Sequence, residues 1–498
     1  MEYGENTIVS VTRFFTSMGL ALVFKIIKPE MADLSVVGMG LFFYYGQSFY
    51  YKLGRTIPIR ELIIIIALLQ WVVAPVLSYH FFKASEFYFM SIDENRYMNF
   101  VVPATAALIL GLLIPLRRNQ QEEEHYEQEE NPDYFFKRGR ILLILGFTAF
   151  ILSPFAPRSL NYFFLLLSHT SIIGSFYLLK SNSKFKYPML LLAFAPVLIG
   201  AANSAIFHEV FIWGGFLLIM FTYLNKSSII AKPILLASLS VSIFIINAVK
   251  RELRETVWAD DDAQTGQIQG PGEMQGPMGP AERQNHGETG TSQSSKTSKN
   301  AGKLFGLMGN QISSSDKKSD QGDDKNQGFI DRLNQGWIIA RIMYVVPQYQ
   351  QFGEGETILD GIKAALLPRI LAPDKAVSGG TKYFEKYTGM PLNGASMNLG
   401  IVGEAYANFG EFKGMLFMLI YGLFFNLMYM QLVNRSRKNE EYLVWLPFVF
   451  FYVIKAEEDF TSIFNQFVKS ILVMAMLFYL MKRMVKEEPF IEIQNEEN

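Results

Sequence analysis

An all-α polytopic membrane fold is the class this sequence predicts, and three observations predict it. Half of the 498 residues are hydrophobic, with mean hydropathy +0.17. The apolar residues fall in long runs, and about 20 such residues in a helix cross the roughly 30 Å hydrocarbon layer. The cations of the short loops collect on alternate sides of successive runs. The expected architecture is about 12 transmembrane helices with one long periplasmic loop containing short amphipathic helices.

The first run, 8–28, carries Arg13 and ends in Lys25 and Lys28, so it is read as crossing the membrane or lying in its interface. Clearer runs follow at roughly 33–51, 61–82, 98–116, 141–157, 159–179, 188–206, 208–224 and 232–249. After the loop come roughly 414–434, 441–456 and 465–482. The count is about eleven if the first run is interfacial. Three parts result: an N-terminal transmembrane bundle, 1–249; a loop, 250–413; and C-terminal transmembrane helices with a tail, 414–498. No small-residue cleavage site follows a short apolar core near Met1, so insertion without signal removal is expected.

Orientation follows from loop cations. Lys52, Arg55 and Arg60, then Arg117, Arg118, Lys137, Arg138 and Arg140, then Lys184 and Lys186, then Lys226 and Lys232 share one side. Arg435, Arg437 and Lys438, and Lys482, Arg483 and Lys486, join them, which makes that side the cytoplasm and places both termini there. Lys25 and Lys28 break the pattern. The acidic run 122–131 reads as a solvated cytoplasmic linker.

Within the loop, 259–328 is rich in Gly, Gln, Ser, Asp and Lys and is read as a disordered insert, with 304–312 as a short amphipathic island. Ordered character returns at 329–413, the expected active-site part. Phe329, Leu333, Trp337, Ile338, Arg341, Ile342 and Val345 recur at helical spacing and predict an amphipathic helix lying against the bundle. A second short helix is expected over 356–367. A third is expected from Ser396 as N-cap to Gly410.

Several chemistries are excluded. With no cysteine, disulfides, zinc–thiolate sites and thiol nucleophiles are ruled out. A net charge of -1 and no arginine–aromatic code leave no case for nucleic acid. The five histidines lack metal-binding spacing and there is no Gly-rich nucleotide loop, so neither metal nor cofactor is expected. Asp260 and Asp262 form a D-x-D, but inside the expected disorder.

The candidate site residues sit in 363–414. Arg369 lies between Pro368 and Pro373 and ahead of Gly379 and Gly380. Prolines fix the backbone, glycines admit close approach, and a guanidinium is a two-pronged donor for diphosphate. Its plain alternative is an arginine snorkelling to lipid headgroups. Lys375 and Lys382 add cations. Arg341, inside the apolar run WIIARIMYVV, needs an anion, either a phosphate or an internal carboxylate. Glu404 sits among Gly400, Gly403, Ala405 and Ala407, with Asn408 one turn on; it reads as a general base, an arginine's counter-ion or a surface residue. Glu457, Glu458 and Asp459 read as a solvated charge run, and His208 as a cap beside Glu209.

The run LPRILAPDKAVSGG, then YFEKYTG, then MNLGIVGEAYANFGEFKG resembles the large outer loop of bacterial oligosaccharide repeat-unit polymerases, the Wzy-type O-antigen polymerases. Arg369 and Gly380 reproduce the Arg–ten residues–Gly spacing of some of those loops. The motifs cover about fifty residues, and elsewhere the likeness is one of topology. The insert 259–328 departs from the family pattern. The resemblance implies a GT-C-like transferase at the periplasmic face of the bacterial inner membrane. It also implies a polyprenyl-diphosphate-linked glycan donor and a second lipid-linked unit as acceptor. Arg341, Arg369, Lys375, Gly379 and Gly380 would hold the diphosphate, Glu404 and Arg369 would carry the chemistry, and Asn408 and Lys382 would support them. A chain-length regulator and a flippase are the partners such an enzyme would have. An O-antigen ligase-like transferase and a lipid-linked oligosaccharide transporter are the alternatives, although no internal repeat points to the latter.

Overall fold

In the computed structural model the described residues are 7–82, 88–115, 132–204, 207–225, 232–234, 236–237, 333–367, 381–392 and 397–485. All elements among them are helical, apart from one isolated bridge between Leu53 and Thr56. Among the described residues six helices are long and apolar enough to cross a membrane: Val9–Ile27, Ile59–His80, Glu94–Leu113, Leu160–Leu179, Ile401–Ser436 and Phe460–Met484. The chain divides into two compact units, residues 1–119 with 198–468, and residues 120–197 with 469–498.

The first unit opens with α1 (Thr7–Ile27) packed against α2 (Asp33–Lys52). Its pattern is inverted relative to a soluble helix pair. Ser10 meets Tyr44, and Gln47 bonds both Thr16 and Ser17 between the helices. Phe15 and Ile26 on the outer face are 68% and 77% exposed. Polar contacts inside and large apolar side chains outside suit a helix in lipid. Arg13 is buried against the Tyr44 and Tyr51 rings. Lys25 pairs with Asp33 at 3.2 Å and Lys28 with Glu30 at 4.0 Å, so the two lysines that break the cation pattern are each matched locally. α1 therefore meets the length and composition of a span.

α3 (Ile59–Leu68) continues through a π-turn, Leu69–Val73, into α4 (Ala74–His80). α5 (Glu94–Leu113) follows. α11 (His208–Leu224), α12 (Gly336–Val345), α13 (Glu356–Leu366) and α14 (Thr381–Thr388) lead to α15 (Ile401–Ser436), α16 (Glu441–Val449) and α17 (Phe460–Met484). α5 and α15 cross at backbone contact: a Cβ on Gly111 would lie 2.3 Å from the Leu419 carbonyl oxygen. Small residues allow this approach, which is how helices gain packing energy in a membrane. Asn426 fastens the crossing by donating to the Gly111 and Ile114 carbonyls at the end of α5.

The second unit contains α6 (Pro132–Leu152), α7 (Arg158–Ser168), α8 (Thr170–Leu179) and α9 (Lys186–Ala193). α10 (Ala195–Ser204) begins at its boundary. α6 and α8 use the same device, at Gly139 against Gly174 and at Gly146 against Ser171.

Two expectations change, the setting of the first loop helix and the length of several runs. Residues 329–332 of the first expected loop helix lie outside the described residues, and its described part is α12, Gly336–Val345. It is buried on most sides, with Trp337, Ile338, Ile339, Ile342 and Met343 all enclosed, so it is embedded rather than laid on the bundle. The helix expected to end at Gly410 does end there: Gly410 (φ 70°, ψ -161°) has non-helical backbone and separates two helical segments, taken together as α15. The loop boundary expected at 413 falls just past that break. Several runs are also shorter than spans: 188–206 is divided near Phe194, and 441–456 holds only the nine residues of α16. The insert 259–328 and the island 304–312 lie outside the described residues.

Candidate outer-loop site

The kink in α15 organises the site. Gly410 takes a left-handed φ that L side chains rarely adopt, and it breaks the helical hydrogen-bond ladder. The carbonyls of Ala407 and Asn408 then accept from the Gly353 and Glu354 amides, each at 3.0 Å. This joins the segment before α13 to α15. The Asn408 side chain completes the joint: Oδ1 accepts from the Gly355 amide, and Nδ2 donates to Thr357 Oγ1 and to the Glu404 carbonyl. Asn408 is 1% exposed and every polar atom of its side chain is used.

Glu404, 2% exposed, lies one turn before Asn408. Its Oε2 accepts the Phe460 amide at 2.7 Å, which ties α15 to the first residue of α17. The Thr357 hydroxyl is its other partner. No arginine among the described residues reaches this carboxylate. Asp459 caps the same helix, with Oδ1 accepting from the Ser462 amide at 2.7 Å, and burial pushes its carboxyl above the usual range.

Arg341 stands on α12, which packs on Gly403 of α15; a Cβ on Gly403 would lie 2.8 Å from Ile342 Cδ1. Its Nε donates to the Thr388 carbonyl at 2.9 Å, and the guanidinium lies 5.4 Å from the Tyr344 ring centre. Its position at the last carbonyl of α14 is favourable for a cation. Among the described residues no carboxylate pairs with this guanidinium. Lys382, at the other end of α14, is exposed, with its ammonium 5.0 Å from the Tyr383 ring centre.

Arg369, Lys375, Gly379 and Gly380 lie outside the described residues, as does Ser396. The helices that bracket 368–380 are tied to each other. Glu356 of α13 accepts from Lys386 at 2.5 Å and from the Tyr387 hydroxyl at 3.0 Å, and Asp360 accepts from Tyr383 at 2.5 Å.

The run Glu457–Asp459 is only partly solvated: Asp459 is buried and the two glutamates are half-buried. Glu457 accepts from Gln70 Nε2 at 2.9 Å, and Glu458 accepts from Asn398 Nδ2 at 2.8 Å. Distant amide donors replace the water these carboxylates would otherwise need. Lys455, fully enclosed, lies 3.6 Å from Glu458 Oε1 and 3.0 Å from His208 Nε2, over the Tyr452 ring at 3.8 Å. His208, at the start of α11, thus has a lysine as a partner. Sequence reasoning passed over Lys455. Its signal was present, since an ionisable residue in the apolar run VFFYVIKA needs a named partner. Among the described residues no group of three or more His, Asp or Glu side chains has the geometry to hold a metal.

Comparison with known protein families, with characterised proteins and with solved structures gives no match.

Proposed function

We propose that this protein polymerises polyprenyl-diphosphate-linked oligosaccharide repeat units at the periplasmic face of the bacterial inner membrane. It is then a glycosyltransferase whose donor leaving group is a lipid diphosphate. The growing chain passes to a sugar hydroxyl of the acceptor. Arg369 and Arg341, with Lys375, Gly379 and Gly380, hold the departing diphosphate, because fixed donors stabilise charge that develops during bond breaking. Lys382 adds to the local positive field. Neither a cofactor nor a metal is invoked.

The observation that carries the reading is the Glu404–Thr357–Asn408 node. It fastens the cation-bearing loop to the ends of two membrane-length helices, α15 and α17. A loop so anchored works on a substrate whose lipid lies in the bilayer and whose sugars lie above it. The node also supports Glu404 and Asn408 as organisers of the loop.

The test is reconstitution of the full chain in liposomes with purified lipid-linked repeat units. Lengthening of the lipid-linked glycan is expected. Movement between leaflets without lengthening overturns the reading in favour of a transporter. Arg369→Ala is expected to lower the rate by about 10²–10³-fold, as for the loss of one preorganised anion donor. Arg369→Lys keeps the charge but loses the planar fork, so it falls between. Near-normal polymer from Arg369→Ala removes the clamp.

A further inference from the structure

The polar cluster before α17 is unused by the mechanism so far. Its carboxylates differ in reach. Glu404 is 2% exposed, and its bound oxygen is committed to a helix amide. The Glu458 side chain is 15% exposed, so its edge meets solvent. Its Oε2 is aimed by Asn398 Nδ2 at 2.8 Å, and Oε1 faces Lys455 Nζ at 3.6 Å. A carboxylate has about four acceptor positions, so two donors leave room for a substrate hydroxyl. Lys455 has no exposed side-chain surface, and Glu458 is the carboxylate beside it. An ammonium cannot accept, so the 3.0 Å contact makes His208 Nε2 the acceptor and puts the imidazole proton on Nδ1.

We infer that Glu458 is the proton acceptor of the transfer, positioned by Asn398 and Lys455, and that Glu404 is a structural cap of α17. This rests on the polymerase reading. In the step, the acceptor hydroxyl oxygen bonds to the donor's anomeric carbon. The bond from that carbon to the diphosphate oxygen breaks, and its electron pair leaves with the diphosphate. The hydroxyl proton goes to a Glu458 oxygen. No oxidant or reductant is needed.

The electrostatics agree with the geometry. Burial pushes the Glu458 carboxyl up to about 7, against the pull of Lys455 and with the help of Glu457 and Asp459. A base that titrates near the working pH is the effective one. The groups that face it are Lys455, Glu457 and Asp459 from its own turn and Asn398 from the segment before α15, while His208 of α11 faces Lys455. Glu209 of α11 and Gln70 of the π-turn act on the neighbouring Tyr452 and Glu457.

The experiment measures kcat against pH, and donor affinity, for the reconstituted full chain with lipid-linked repeat units. Wild type is expected to lose activity on the acid side with a midpoint of about 7. Glu458→Gln should lower kcat by about 10²–10⁴-fold, keep donor affinity within about twofold and lose the acid limb. Formate or azide should restore part of the rate to Glu458→Ala. Glu404→Gln should keep the limb. Asn398→Ala removes a donor to the charged form, so its limb should move to higher pH. That variant keeps the test decisive if Glu458→Gln fails to fold. An intact acid limb in Glu458→Gln, or an unmoved one in Asn398→Ala, overturns the inference while lengthening by wild type leaves the polymerase reading standing. Wild type that fails to lengthen the glycan overturns the polymerase reading itself.

Discussion

Asn408 shows what a single residue can and cannot reveal in sequence. The i, i+4 spacing from Glu404 places both on one helix face, and the structure keeps them there. Its partners at Gly355 and Thr357, more than 50 residues away, follow from no local pattern. Asn408→Ala should destabilise the protein by about 1–3 kcal/mol, because it leaves the buried Gly355 amide and Thr357 hydroxyl short of partners. A fall in melting temperature by intrinsic fluorescence checks this, and an unchanged melt removes Asn408 as the joint. Glu458 gives a second residue-scale lesson. Three consecutive acids look solvated, yet Asn398 and Gln70 supply their donors from distant segments. Its carboxyl sits near 7 in the fold against an ordinary 4.5, so the folded state holds the extra proton. The stability it contributes is complete below about 4.5 and is lost as pH rises through about 7. Between pH 5 and 8 the wild-type melt should therefore fall relative to that of Glu458→Gln. A constant difference across that range counts against the raised carboxyl.

Helices are the most legible scale, because apolar runs announce them. The second loop helix, expected over 356–367, is found at Glu356–Leu366. Gly410 is legible too, since a glycine after a periodic segment reads as a terminator and its backbone does leave the helical region. A second helical segment follows at once, and Gly353 and Glu354 satisfy the carbonyls that the break releases. The α5–α15 crossing was not legible, because Gly111 and Gly422 lie more than 300 residues apart with no repeat to link them. A Cβ on Gly422 would lie 2.5 Å from the Leu108 carbonyl oxygen, and backbone cannot rotate away as a side chain can. Gly111→Leu and Gly422→Leu should each destabilise by at least about 1–3 kcal/mol, the usual range for overpacking. The double variant should not be additive, since both act at one contact. Melting of the detergent-solubilised variants measures this, and additive losses would place the two glycines in separate contacts.

At the scale of the whole molecule, composition conveys membrane character, and among the described residues six helices are both long and apolar enough to cross. Of the other expected runs, 188–206 and 441–456 become short or divided helices, and most of 232–249 lies outside the described residues. Pro447 lies inside the short helix α16. Orientation is carried by loop cations, and the two lysines that oppose the rule are each paired with a neighbouring acid. If the rule holds, α13 lies outside and the α15–α16 connection lies inside. The absence of cysteine makes this directly measurable. Lys363 on α13 is 64% exposed, and Lys438 after α15 is also exposed, so both suit a single-cysteine tag. Ser436, also in that connection, is 7% exposed and does not. An impermeant maleimide added to intact cells should label Lys363→Cys at once and Lys438→Cys only after the membrane is opened. The two sites flank the kinked helix α15, so labelling of both from outside would mean that α15 does not cross. The anchoring of the cationic loop at Glu404 and Asn408 would then have to be understood without a membrane-spanning support.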